Sequence, residues 1–435
     1  MVKAGRPFRD LTDWNFENKY GWLESQWQRL KAPVEVNFRE LVPLGSGVDR
    51  ATHLFHPYPA KLLLNIPLFF LNARQVTSPN SRVFDPFCGS GTVLVEAMLS
   101  GHRAAGADAN PLARLIARAK TRFIPEVDLM RSLQIVLREI NPAKTSGFSP
   151  VVKQELWFIP HVISDLSALL DSIRRTCEGN ILTFMEACFS SCVKRLSTSD
   201  PRLSVPVRLK GDALNSHLGN LPDVKLLFEK TARQNIARLG KLPEQSCGCE
   251  IEEDARRLED HQSQADVIIT SPPYAGAQKY VRASSLSIGW LGLAPENNLR
   301  DLERQNIGRE HFSKSEYASG EYVQDLANDF INTIQSINPL RAHIADVYLQ
   351  EMTVAADAIT RRLANSGKLV LVVGDNMICG RAFPTSALLK EIFLKKGLSL
   401  TLELVDDIRS RGLMTKRNRT ASTIEREHVM VFQKE

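Results

Sequence analysis

Cysteine is scarce, with seven residues in a chain of 435. That excludes the disulfide framework of a small secreted domain. Cys247 and Cys249 form a lone Cys-x-Cys with no second pair at zinc-finger spacing, so reduced thiols are predicted rather than a metal site. Long apolar runs are also missing. The best candidates, 62–71 and 181–193, are short or broken by polar residues, against about 18 residues needed to cross a bilayer. The opening MVKAGRPFRDLTDW has no apolar signal region, which makes the cytoplasm the expected location. Glycine (24) and proline (22) are not in excess, and charged residues make up 24% of the chain. This usage excludes collagen-like, low-complexity and disordered classes. No internal repeat is visible. A globular chain of two or three units remains, at about 150 residues per unit.

The net charge of +6 says little by itself, but its distribution is uneven. Arg409, Arg411, Lys416, Arg417, Arg419 and Arg426 face a single acid, Glu425, in 18 residues. Such a run is either a solvated surface loop or a loop that holds phosphates.

Residues 1–50 carry Trp14, Trp22 and Trp27 and read as a segment packed on the main domain. From Ser81 the pattern alternates. RVFDPF is a short buried strand, CGSG a glycine turn, TVLVEAMLS a helix, RAAGAD a strand and NPLARLIARAKT a helix. A βαβα unit implies a parallel sheet. Residues 126–246 break the rhythm, with helices predicted over 127–140, 165–174, 182–196 and 223–239. This stretch is too long for a crossover of about a dozen residues and reads as a helical insertion. Strands resume at CEIEED and ADVIIT, a polar loop covers 294–320, and a helical pattern runs to about Asn365 with a break near Pro339. KLVLVVGD, LSLTLELVDDI and EHVMVFQK follow as strands, the last two as antiparallel neighbours. The expected division is 1–50, 51–125, 126–246 and 247–435.

Two segments carry chemistry. In Asp85-Pro86-Phe87-Cys88-Gly89-Ser90-Gly91-Thr92 a strand ends and a helix begins. Gly89 and Gly91 permit positive φ and a close approach of ligand to backbone. No Lys-Ser/Thr follows, so this is not a phosphate-cradling Walker loop, and the dinucleotide GxGxxG is absent. Asp108, at the end of the next strand, is placed to hold ribose hydroxyls. In the second segment an apolar strand, Val267–Thr270, ends abruptly in Ser271-Pro272-Pro273-Tyr274. Prolines fix φ and lack N–H donors. A serine oxygen and a prolyl carbonyl can together accept hydrogen bonds from an exocyclic amino group, and a tyrosine can stack on the ring that bears it. A turn with a packed tyrosine is the plainer reading of the tetrapeptide taken alone.

Together these segments resemble the DNA amino-methyltransferases, which act on cytosine N4 or adenine N6. The family's FxGxG cofactor loop corresponds to Phe87, Gly89 and Gly91, and its (Asp/Asn/Ser)-Pro-Pro-(Tyr/Phe) tetrapeptide to Ser271, Pro272, Pro273 and Tyr274. Ser in first position is the version associated with cytosine-N4 enzymes. The resemblance covers about 51–125 and 248–435. It implies a Rossmann-like α/β fold with a mostly parallel seven-stranded sheet, one antiparallel strand and a helical insertion. The implied cofactor is S-adenosylmethionine, held by Pro59 and Lys61 of HPYPAK, Asp85, Phe87, Gly89, Gly91, Thr92, Asp108 and Asp254. Asp254 is preferred to Asp212 because it lies just before the catalytic strand. Cys88 is taken as packing, since the Pro-Cys nucleophile of cytosine-C5 enzymes is missing. His53 and His56 are not read as metal ligands. The implied partners are double-stranded DNA, with the target base flipped out of the helix, and a restriction endonuclease acting on the same site. The step of 179 positions from Gly91 to Thr270 departs from compact members. Target reading is therefore open between 126–246, the basic segment Arg409, Arg411, Lys416, Arg417 and Arg419, or both. Adenine N6, an RNA base, and DNA binding without turnover remain as alternatives.

Overall fold

The computed structural model describes residues 15–44, 49–59, 61–141, 153–259, 263–276, 280–294, 298–317, 327–408 and 425–435. Ten strands are described: β1 Val34–Val36, β2 Arg82–Asp85, β3 Arg103–Ala107, β4 Glu250–Glu252, β5 Ala265–Thr270, β6 Leu363–Gly374, β7 Asn376–Ile378, β8 Arg381–Phe383, β9 Leu398–Asp407 and β10 Arg426–Lys434. Eight form one sheet in the order β1-β9-β10-β6-β5-β2-β3-β4, and β7 and β8 form a small hairpin. Every pairing in the large sheet is parallel except the two made by β10. The fold is a Rossmann-like α/β sheet with one antiparallel strand. It has eight strands rather than the seven expected, because Val34–Val36 of the N-terminal segment adds a parallel edge to β9.

Strand residues alternate between two cores, as a sheet covered on both faces requires. Val83, Val267, Ile269, Val370 and Val372 face the helices at Phe16–Leu30 and Asn65–Asn72. Phe84, Ile268, Leu369, Leu371 and Val373 face the long helix Pro339–Arg362 and the helix Thr385–Lys395. Trp22 and Trp27 pack against the first of these cores; Trp14 lies outside the described residues.

Residues 126–246 contain helices Glu126–Glu139, Pro160–Thr176, Gly179–Val193, Gly211–Leu218 and Val224–Leu239. Their ends follow local chemistry. Pro160 opens one helix from its first turn, and the Asp223 side chain caps another by accepting from the Leu226 N–H. All of these but Gly211–Leu218 share a single core with Leu112, Ala113 and Ile116 of the helix Pro111–Thr121 and with Trp290. Trp290 belongs to helix Tyr280–Leu291, which periodicity did not suggest. Gly289 and four serines and alanines dilute its apolar face. The expected loop 294–320 carries short helices at Leu299–Arg304 and Lys314–Tyr317. Among the described residues, no helix is long and apolar enough to cross a membrane.

Candidate active site

Strands β3 and β4 lie to one side of β2, and β5 and β6 to the other. The chain's direction of travel across the sheet therefore reverses between β2 and β5. In an open α/β sheet that point leaves a crevice beyond the carboxyl ends of the strands. A cavity of about 430 Å³ sits there, within the usual range of about 300–1,000 Å³ for small-molecule sites.

One wall is the glycine loop. Gly89 has φ +51° and Gly91 φ +80°, a region that costs a residue with a Cβ about 1–2 kcal/mol. A Cβ on Gly91 would also stand 3.3 Å from the Ala117 Cβ, so glycine lets the loop lie close on the helix Pro111–Thr121. The loop is tied to the neighbouring strand ends. The Cys88 N–H donates to the Ala107 carbonyl at 2.9 Å, and the Asp108 N–H donates to Glu252 at 3.2 Å. The Asp108 carboxylate accepts from the Gly89 N–H at 2.8 Å and from the Asn110 N–H at 2.8 Å. Burial pushes the Asp108 carboxyl up to about 6 against the pull of those two amides. Asp85, at the end of β2, accepts from the Phe87 N–H at 3.1 Å and from the Thr270 hydroxyl at 2.7 Å. Its carboxyl is pushed up to about 7, again chiefly by burial. The bond to Thr270 joins the cofactor loop to the strand that carries Ser271.

The opposite wall comes from the segment after β5. Ser271, Pro273 and Tyr274 line the cavity, while Pro272 is buried and is not on its wall. The Tyr274 hydroxyl accepts from the Gly374 N–H at 3.3 Å, which fixes the ring against β6. Burial raises that phenol well above its ordinary range. Gly308, at φ +78°, brings loop 305–308 against the Tyr274 carbonyl; a Cβ there would lie 2.7 Å from that oxygen.

The expected cofactor residues Lys61, Asp85, Phe87, Gly89, Thr92, Asp108 and Asp254 all line this one cavity. Pro59 and Gly91 are not among its lining residues. Asp254 is clamped by Arg256 at 2.8 Å, and Arg256 also pairs with Glu351 at 2.8 Å. Asp212 is exposed on helix Gly211–Leu218, off the cavity. Lys61 donates to the carbonyls of His53 at 3.0 Å and His56 at 2.6 Å, and burial pushes its ammonium down to about 8. His53 is paired with Glu96 at 2.7 Å and His56 with Ser190 at 3.0 Å. Cys88 is buried with its thiol pushed up by that burial. Arg409, Arg411, Lys416, Arg417 and Arg419 lie outside the described residues.

Sequence reasoning missed several members of the site. Lys120 is fully buried and donates to the Ser90 carbonyl at 2.7 Å, bracing the glycine loop from beneath. It sat in a helical pattern whose polar face offered no warning. Thr270 is adjacent to the tetrapeptide, but in the sequence it shows only a strand pattern. Asp406 and Glu427 line the cavity from the ends of β9 and β10. With Asp85, Asp108 and Asp254 they make the wall rich in acids, against Arg39 and Lys61. A wall of that sign suits a ligand with a cationic sulfonium and a ribose diol. It would repel one that carries phosphates.

The chain is similar to several known proteins. A family model described as an RMKL-like methyltransferase domain matches residues 58–145. The Type II methyltransferase M.MvaI of Kocuria varians is 24% identical over 406 residues, covering 84% of this chain and 86% of its own length. The Type II methyltransferase M.MjaII of Methanocaldococcus jannaschii is 30% identical over 136 residues, 31% of this chain and 23% of its own. Among solved structures, the rRNA methyltransferase aviRa from Streptomyces viridochromogenes is 12% identical and aligns with 91% of this chain and 96% of its own at a TM-score of 0.32. The methyltransferase similarity and the acid-lined cavity support S-adenosylmethionine as the cofactor. The chain is an S-adenosylmethionine-dependent methyltransferase related to the Type II methyltransferases.

Proposed function

We propose that the protein methylates the N4 amino group of cytosine in duplex DNA, as the modification enzyme of a restriction–modification pair in the cytoplasm. The observation that carries this reading is Ser271-Pro272-Pro273-Tyr274 at the carboxyl end of β5, facing the glycine loop of β2 across one cavity. Bound S-adenosylmethionine supplies an electrophilic methyl group. The residues of the chain supply the rest. An aromatic amine is a poor nucleophile because its lone pair is delocalised into the ring. A hydrogen bond from one of its N–H groups to the Ser271 hydroxyl, on the cavity wall, favours a tetrahedral nitrogen. In-line placement against the methyl then removes much of the barrier. The flipped base packs on Tyr274, whose anchored hydroxyl keeps the ring from swinging away. No covalent enzyme intermediate is needed.

Arg409, Arg411, Lys416, Arg417 and Arg419 are proposed to hold DNA phosphates, and residues 126–246 to share in reading the target sequence. Serine in the first motif position favours cytosine over adenine. Plasmid recovered from cells expressing the protein, digested to nucleosides and analysed by mass spectrometry, should contain N4-methylcytosine that plasmid from control cells lacks. N6-methyladenine in its place would overturn the substrate, and the absence of both would overturn the activity on DNA.

A further inference from the structure

The acids of the cavity wall are not equivalent. Asp85 is engaged by Thr270 and the Phe87 N–H, Asp108 by two backbone amides, and Asp254 by the Arg256 guanidinium. Each of these stands on the cofactor side or braces it. Asp406 and Glu427 stand elsewhere. β10 runs antiparallel, so the residue at its start reaches the same sheet edge as the ends of β5 and β6. Glu427 is in register with Asp406 of β9 on one side and with Gly374 of β6 on the other. Gly374 is the residue whose N–H holds the Tyr274 hydroxyl, and Glu427 lines the same cavity as Tyr274 and Ser271. The strand register thus brings a carboxyl group to the cavity that Ser271 and Tyr274 line.

Resting on the amine-methylation reading above, we propose that Glu427 is the catalytic base, taking up the proton that the target amino group must release. The exocyclic nitrogen forms its bond to the methyl carbon as the methyl–sulfur bond breaks, and sulfur keeps that bonding pair. The nitrogen is left positively charged with one proton too many. The proton passes to the Glu427 carboxylate, restoring a neutral methylamine, and leaves from there to water.

The groups around Glu427 poise it for this. Burial and the neighbouring Asp406 carboxylate on β9 disfavour its charge. The Tyr274 hydroxyl from the loop after β5 and Arg39 from the helix Phe38–Leu41 favour it. The balance pushes the Glu427 carboxyl up to about 7, where a carboxylate can both accept a proton and release it.

The test is Glu427→Gln in the full chain, with single-turnover methyl transfer to duplex DNA followed from about pH 5 to about pH 9 at saturating cofactor. The wild-type rate should rise through about pH 7 as Glu427 ionises and then level off. Glu427→Gln should lose about 10²- to 10⁴-fold at high pH and show no step near neutrality, while Glu427→Asp keeps a step. A wild-type circular dichroism spectrum and a cooperative denaturation transition mark the variant as folded. Should Glu427→Gln not fold, Tyr274→Phe decides: losing the hydroxyl donor should move the step to higher pH. A Glu427→Gln enzyme with the wild-type rate and step, or a step unmoved in Tyr274→Phe, would overturn the proposal. A wild-type protein that methylates no base of DNA would instead overturn the reading on which it rests.

Discussion

Asp108→Asn separates ligand binding from folding in a single substitution. The wild-type carboxyl is raised from 3.8 to about 6. At about 1.4 kcal/mol per unit, the folded protein carries up to about 3 kcal/mol of unfavourable charge there at pH 8, less where the cavity admits water. Asparagine removes that charge. Its carbonyl oxygen keeps one of the two amide bonds from Gly89 and Asn110 and loses the other, a cost of about 1.5–3 kcal/mol. The two effects nearly cancel, so the apo variant should unfold at a urea midpoint close to wild type at pH 8. The cofactor has no such compensation. Losing a charged acceptor for the ribose hydroxyls should weaken S-adenosylmethionine by about 10- to 150-fold. The pH dependence follows in sign. The folded state binds the extra proton between the unfolded pKa and about 6, so this group makes the apo wild type less stable as pH rises through that window. Cofactor affinity behaves oppositely, full above about 6 and falling below it as the carboxylate is protonated. The share of each trend that Asp108 contributes should be lost in Asp108→Asn. Calorimetry that finds unchanged affinity at pH 8 would remove Asp108 from the cofactor site.

Gly308→Ala should lower stability by about 1–2 kcal/mol from its positive φ alone. It should slow methyl transfer further by pushing loop 305–308 off the Tyr274 carbonyl, 2.7 Å from the new Cβ; an unchanged denaturation midpoint would refute the tight approach. Replacing Arg409, Arg411, Lys416, Arg417 and Arg419 by glutamine should weaken DNA binding for all sequences alike. It should also reduce the salt slope of log affinity by about 0.9 for each phosphate that the variant no longer neutralises. A slope equal to wild type in filter binding would assign those residues to a solvated surface.

The parts of the site legible in the sequence are those that local chemistry dictates. An abrupt strand end at Ser271, a glycine pair after Phe87 and an acid after the next strand each declare themselves within a few residues, and the sheet brings them to one cavity. The unread parts depend on register. Glu427 looks like any polar residue opening the edge of a strand; only its alignment with Gly374 and Asp406 brings it to the cavity wall. The eighth strand escaped for the same reason, since Val34–Val36 is too short to show a period and exists only by pairing with β9. Helix Pro160–Thr176 was anticipated over its centre but not its ends, because a proline in a first turn reads as a breaker until the helix beyond it is known.

The central claim is that the cavity holds the methyl donor while the segment after β5 directs it to cytosine N4. Duplex DNA incubated with the purified protein and methyl-labelled S-adenosylmethionine, then digested to nucleosides, tests it directly when wild type and Ser271→Ala are run side by side at matched cofactor occupancy. The account predicts labelled N4-methylcytosine from the wild type and little from the variant, with equal cofactor affinity in both. Label in N6-methyladenine, or equal yields from the two proteins, would contradict it.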